Sequence, residues 1–447
     1  MVVVGPMRLR FDRVRFGCRR VGTVAEIRGG ALVGEAVTDP KVSDAAVQLK
    51  WLAEAATRTP VSEKEIREHL AQPLLTAVGG FETINAVLAQ YGQLDVGRIR
   101  AARPGRVQAS VRGNGTEYFV RVCVDAAGLI DDIQMTPVDS VTSWAEIDPL
   151  LAELGTRVSF AAAEIGANGQ CDIVHDVDAS TLRPVGSTFK LYVLAALGQA
   201  VADKRADWHE QLEIREDWKS LPSGTLQDRP AGSKLSLAEF ADHMTAISDN
   251  TATDHLIHRV GRDAVHQQLA LLGHHRPEVN IPLLTTRAFF QLKGTPGASR
   301  AEQYLTVPTQ ARAAAIAELE RLPLPELGAD TWTRPSHIDE IEYFASPTDV
   351  CRAFAGLQRL AQPEIDHALS LNDDGLNLDS SQFPTVWYKP GDEPGVVTQH
   401  YLARDTGDRT FVVSLMVSDP TTAPDKWMTL AKGQKIIRAA FHLLARH

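Results

Sequence analysis

No apolar run in this 447-residue chain approaches the length of a membrane span, and none of signal-peptide length follows its basic start. The expectation is a cytoplasmic protein, with residues 1–42 a basic tail carrying Arg8, Arg10, Arg13, Arg15, Arg19 and Arg20; a misplaced start would leave room for a secreted form. Positive charge is in deficit: 46 Lys and Arg stand against 56 Asp and Glu, for a net charge of −10. No basic stretch is interleaved with aromatics either, so a nucleic-acid surface is not expected, and partners should be small molecules or peptides. Cysteines are few. Cys18, Cys123, Cys171 and Cys351 show no CxxC spacing, so neither a zinc site nor a disulfide framework is suggested, and reduced, mostly buried thiols are expected. GxGxxG, GxxxxGK[ST], HExxH and GxSxG are all missing, which removes dinucleotide, P-loop, zincin and nucleophile-elbow chemistry. His255 and His258 can share a helix face, but no third ligand stands at a suitable spacing. "LNDDGLNLD" lacks the spacing and terminal Glu of a calcium loop and reads as a turn. Cofactor-free chemistry is the expectation.

What is present is a globular composition, 44% hydrophobic and 23% charged, over a length that calls for two domains. From about Asp44 to Tyr91 the pattern is helical: "DAAVQLKWLAEAA" is amphipathic, Ser62 with Glu65 has capping-box spacing before "IREHLAQPLL", and "FETINAVLAQY" follows. "RVQASVRG", "TEYFVRVCVD" and "LIDDIQMTPV", split by "NG" and "AAG", then read as antiparallel strands with tight turns. Residues 43–139 are thus expected as a small α+β domain. At about residue 140 the pattern changes, with Asp139 or Ser143 capping a new helix. Strand candidates "RVSFAAAEI" and "QCDIVHDVD" precede a mainly helical middle, and "TVWYKP", "VVTQHYLAR" and "RTFVVSLMVSD" precede a final helix. Strands from both ends of residues 140–447 around a helical middle predict one sheet closed by its termini.

Three stretches can carry chemistry. In "RPVGSTFKLYVLAAL", Ser187 opens an apolar helix and Lys190 follows three residues later on the same face. Ser187 is either a helix cap or a nucleophile. A lysine at the mouth of a buried helix is partly desolvated, and desolvation favours the neutral amine that can take a hydroxyl proton. Ser248, Asp249 and Asn250 in "AISDNTATDHLI" are either a turn and N-cap or a second set of polar site groups. Lys389 and Gly391 in "VWYKPGDEPGV" lie at the end of a strand candidate, in what is otherwise a Pro-Gly turn.

The ordered set Ser-x-x-Lys, Ser-Asp-Asn and Lys-x-Gly, with the second and third motifs 61 and 202 residues beyond Ser187, resembles the penicillin-recognising serine hydrolases, which include class A β-lactamases and penicillin-binding proteins. The resemblance covers roughly residues 141–447. With a helical and strand-rich domain in front, the chain is most similar to a two-domain actinobacterial type. One member of that type is encoded in the clavulanic acid cluster, with a cystatin- or isomerase-like front domain. The resemblance implies an α/β sandwich whose five-stranded antiparallel sheet carries helices on both faces. It also implies catalysis by Ser187, Lys190 and Ser248, with substrate held by Asn250, Lys389 and Gly391 and no metal. Two departures modify it. Pro390 stands where the family has Thr and offers neither hydroxyl nor N–H to a substrate carboxylate. The Glu-x-x-Leu-Asn loop that activates the deacylating water in class A enzymes has no counterpart, because no Asp or Glu occurs between Glu278 and Glu302; Asp339, Glu340 and Glu342 lie too far along the chain for an equivalent role. The expected function is therefore a serine hydrolase acting through an acyl-enzyme on a β-lactam, ester or amide carbonyl and slow to deacylate β-lactams. The alternative is a non-catalytic or nearly inactive protein that binds a β-lactam or peptidoglycan-like ligand.

Overall fold

Helix Asp44–Thr57 starts on an acidic residue and turns Ala45, Leu49, Leu52, Ala55 and Ala56 inward at helical spacing. In the computed structural model, which describes residues 44–446 except 104, 114–115, 138–140, 295–298 and 327–331, this face meets a four-stranded antiparallel meander. The expected basic tail and Asp139 lie outside the described residues. The meander runs Leu94–Arg103, Arg106–Gly113, Thr116–Val124 and Ile130–Pro137, and its inner positions include Val107, Ala109, Val111, Val120 and Val122. Ser62 caps its helix by accepting from Glu65 N at 3.2 Å. "IREHLAQPLL" is nevertheless not one helix: it breaks into Glu63–His69 and Gln72–Ala77. Leu70 is extended and bridges to Ile130, and Pro73, which has no N–H to give, opens the second piece. Strand Leu94–Arg103 was not expected from the sequence. Its pairing is irregular around Val96 and Ile99, whose side chains are exposed, so no inside-outside alternation marks it.

The described residues divide into two compact units, those within Met1–Val138 together with Asp379–Ser381, and those within Asp139–Leu378 together with Gln382–His447. The second is built on a five-stranded antiparallel sheet ordered Thr385–Glu393, Val396–Arg404, Thr410–Ser418, Arg157–Ile165, Cys171–Val177. Its termini do close it: Thr410–Ser418 pairs along its whole length with Arg157–Ile165. Every residue of Thr410–Ser418 is buried, which is why its apolar run from Phe411 to Val417 is broken only by Ser414 and does not alternate with polar residues. Helices cover both faces. Trp144–Ala152, which follows Ser143, and Lys426–Leu444 pack on Phe160, Tyr401, Val413 and Leu415, while Lys190–Ala202 and Pro347–Arg359 pack on Ala163, Trp387, Leu402 and Val412. Helix Lys190–Ala202 is apolar all round because it lies inside this second layer.

The expectation for the cysteines is overturned in part. Cys171, at the start of the edge strand, and Cys351, in helix Pro347–Arg359, form a disulfide with Cα atoms 6.3 Å apart. Their separation of 180 residues hid the pairing, because only the fold brings them together. Cys123 is buried in the front unit and Cys18 lies outside the described residues. Alkylation of the denatured, unreduced protein should mark Cys18 and Cys123 and spare Cys171 and Cys351. Cys351→Ser should cost about 2–5 kcal/mol of stability, read from denaturant unfolding. Equal labelling at all four positions would count against the bridge.

Candidate active site

Ser187 does not cap an α-helix. It lies in a 3₁₀ turn, Gly186–Phe189, after Val185, and the α-helix begins at Lys190. This places Ser187, half-buried, at the edge of the helical layer, while Lys190 is wholly buried below it. The lysine is therefore more deeply desolvated than its position in the sequence suggests. Its Nζ donates to Ser248 O at 2.6 Å, Ser248 Oγ at 3.1 Å and Asn250 Oδ1 at 2.7 Å. Burial pulls its pKa down to about 7, against the opposing pull of Asp249, Asp254 and Asp392. Three acceptors suit the ammonium. The neutral amine keeps two N–H groups for the two shorter contacts and has a lone pair for a hydroxyl proton.

The segment 248–250 is a strained corner between helices Leu237–Ala246 and Asn250–Val260. Ser248 has φ 57°, a left-handed conformation that a non-glycine residue adopts at some cost. Asp249 holds the corner. It caps the following helix through Ala252 N and accepts from Thr225 N at 2.6 Å and Leu226 N at 2.9 Å, tying down the loop that carries Ser223. Gly224, at φ +106°, packs so closely on Asp249 that a Cβ would collide with it. Ser223 Oγ donates to Ser248 O at 2.6 Å. Sequence reasoning missed Ser223, since nothing in "LPSGTL" distinguishes it from an ordinary turn serine.

Lys389 sits inside strand Thr385–Glu393 and not at its end: the strand runs on through Pro390 and Gly391, and the chain turns only at Pro394–Gly395. Pro390 is tolerated because this strand is the sheet edge. Lys389 Nζ, also buried, donates to Ser248 Oγ at 3.0 Å and to Pro390 O at 2.9 Å. The two lysines thus converge on one hydroxyl. Gly391 is required by close approach: a Cβ there would strike the Val185 carbonyl and come within 2.9 Å of Ser187 N. A Cβ on Gly186 would lie 3.1 Å from Asp392 N. The N–H groups of Ser187 and Asp392 therefore lie on two backbones in contact, and Lys426 pairs with the Asp392 carboxylate at 2.5 Å on the outer side.

The structure thus gathers Lys190, Ser248, Asn250 and Lys389 into one hydrogen-bonded cluster, with Ser187 and Gly391 on the adjoining segments. Residues 142–440 match the family described as the beta-lactamase enzyme family, two thirds of the chain. The chain belongs to that family. Among solved structures it is similar to PBP-A (18% identity, TM-score 0.45, covering 67% of this chain and 95% of that one). It is also similar to β-lactamases from Sphaerobacter thermophilus (21%, 0.47, 67% and 97%) and Francisella tularensis (13%, 0.45, 68% and 99%). No curated protein matches it. Helix Thr286–Lys293 lies behind Asn250, with Thr286 Oγ1 3.2 Å from Asn250 O. Asp254 anchors the start of that helix by accepting from Thr286 N, Thr286 Oγ1 and Arg287 N. Of the three downstream acids, Asp339 pairs with Arg157 at 2.9 Å and Glu342 is buried. His255 is a core residue: Nδ1 bonds Thr251 O and Nε2 accepts from Arg215 N.

Because the free amine forms only as pH rises through about 7, labelling of the protein by a fluorophosphonate should quicken about tenfold per pH unit up to that point and level off above it. A profile flat from pH 5 to 9 would show that Lys190 accepts no proton.

Proposed function

We propose that the chain is a serine hydrolase that forms an acyl-enzyme at Ser187 and releases it slowly when the substrate is a β-lactam. The observation that carries this reading is Lys190, a buried amine with a pKa near 7, one turn from the only Ser-x-x-Lys serine in the chain and bonded to Ser248. Ser187 Oγ bonds to the substrate carbonyl carbon as its proton passes to Lys190. The oxyanion that develops is held by the N–H groups of Ser187 and Asp392, a contribution on the order of 10²–10³ in rate per donor. Ser248 Oγ accepts from both lysines, so its own proton can pass to the leaving nitrogen or oxygen as that bond breaks, while Lys190 hands Ser248 the proton it took from Ser187. Asn250 and Lys389 orient the substrate, and Pro390 shifts preference away from substrates that need a hydroxyl at that position. The helix laid across a four-stranded meander supports a cystatin- or isomerase-like reading of the front unit.

One observation favours a second reading, a ligand-binding protein with little turnover: the segment behind Asn250 has no carboxylate from residue 279 to residue 301. The two are separated by kinetics. With a penicillin or cephalosporin, hydrolysis should show a burst of about one equivalent and then slow turnover, with the adduct seen by intact-protein mass spectrometry. A simple ester should turn over faster. Ser187→Ala should take up neither the β-lactam nor a fluorophosphonate, and Lys190→Ala should acylate at least ~10²-fold more slowly. Binding without any adduct would establish the second reading, and fast steady hydrolysis without a burst would place a water-activating group elsewhere.

A further inference from the structure

Behind the oxyanion strand lies a group of charged side chains that the chemistry above does not use. Lys293, Glu342 and Glu393 are sealed from solvent, with side-chain exposures of 0%, 0% and 4%. Lys293 Nζ donates to Glu393 Oε1 at 2.5 Å and to Ile341 O at 3.1 Å, and stands 3.9 Å from Glu342 Oε2. The rings of Phe289 and Trp332 complete its surroundings, 4.8 and 5.7 Å from the ammonium. Glu342 Oε1 accepts from Tyr343 N. The remaining oxygens, Glu342 Oε2 and Glu393 Oε2, are buried and have no donor among the described residues. Two carboxylates and one ammonium would leave a net negative charge in a dry site, together with two orphaned acceptors. One proton between the carboxyls removes both problems. Both carboxyls lie against the same Lys293 Nζ, and burial with the neighbouring Glu342 charge raises the Glu393 pKa well above the ordinary range.

We propose that Glu342 and Glu393 share a single proton and, with Lys293, form a charge-neutral brace that positions the three substrate-facing segments of the site; this rests on the acyl-enzyme reading above. The connections are direct. Glu393 adjoins Asp392, whose backbone nitrogen lies close against Gly186. Glu342 adjoins Tyr343, whose carbonyl accepts from Val185 N at 2.8 Å and whose ring stacks on Phe189 at 3.6 Å, so it holds the turn that bears Ser187. Lys293 ends the helix whose first residue, Thr286, bonds Asn250 O. Nucleophile, oxyanion donor and amide-binding residue are thereby referred to one point. None of the three braced side chains touches substrate, so each is a positioning residue.

The shared proton gives a pattern that ordinary packing does not. In Glu393→Gln the amide replaces the protonated carboxyl and Glu342 balances Lys293. In Glu342→Gln the roles exchange. Each single variant should acylate Ser187 with a penicillin within about threefold of the parent. The double variant leaves a buried ammonium unpaired and should lose at least ~10² in acylation rate constant at little-changed substrate affinity, measured well below its melting temperature. Lys293→Met in that background should restore the melting temperature. A proton-specific readout needs no activity: above pH 8, where Asp254 with its pKa near 7 is ionised, the infrared band of a protonated buried carboxyl should be present in the parent and vanish in either single variant. Failure of any probe to acylate the parent would sink the hydrolase reading and leave the infrared test standing. Retention of the band in both single variants, single variants as impaired as the double, or a folded double variant acylating at the parental rate would each overturn the brace.

Discussion

Burial of Lys190 is the constraint from which the rest of the site follows. An amine sealed under the helical layer must either lose its proton or be surrounded by acceptors, and here both are arranged: burial lowers its pKa while Ser248 and Asn250 accept its hydrogens. Those acceptors must then be fixed. That explains the left-handed Ser248, the Asp249 side chain spent entirely on backbone N–H groups, and a glycine at 224 where the loop presses on that carboxylate. A second buried lysine, Lys389, shares Ser248 Oγ with the first, so that one hydroxyl is held between two side-chain amines.

The neighbourhood of Asn250 shows the same fixing of groups. It is occupied by a helix whose own start is tied to Asp254 and whose buried residues include Phe289 and Phe290.

Much of the fold was legible because periodicity reports burial directly. Strands Arg106–Gly113 and Arg157–Ile165 and helix Phe81–Tyr91 match the segments expected from the sequence, and the sheet closed by its termini follows from placing strands at both ends of a helical middle. The elements that were missed share a cause. Leu94–Arg103 is an irregular edge strand with apolar residues outward, and the break at Leu70 depends on a pairing with Ile130, 60 residues away. The Cys171–Cys351 bridge is likewise a fact of tertiary structure. In the site, Ser187, Lys190, Ser248, Asn250, Lys389 and Gly391 could be named because their spacing is characteristic. Ser223 could not, because an ordinary turn serine leaves no mark in the sequence. Glu342 offered a visible carboxylate, but only the fold shows it facing Lys293 and Glu393.

The closure of the sheet by its two ends bears on how the protein is made. Arg157–Ile165 emerges from the ribosome about 250 residues before its central neighbour Thr410–Ser418, and Lys389 and Asp392 follow Ser187 by about 200 residues. Until then one full edge of the early strand pair is bare, and the apolar helix beginning at Lys190 has no sheet to lie on. Pairings so distant in sequence close slowly and expose sticky surface meanwhile. The helical middle is therefore made before the sheet it lies on is complete, and the two lysines meet at Ser248 only after the strand carrying Lys389 has been made.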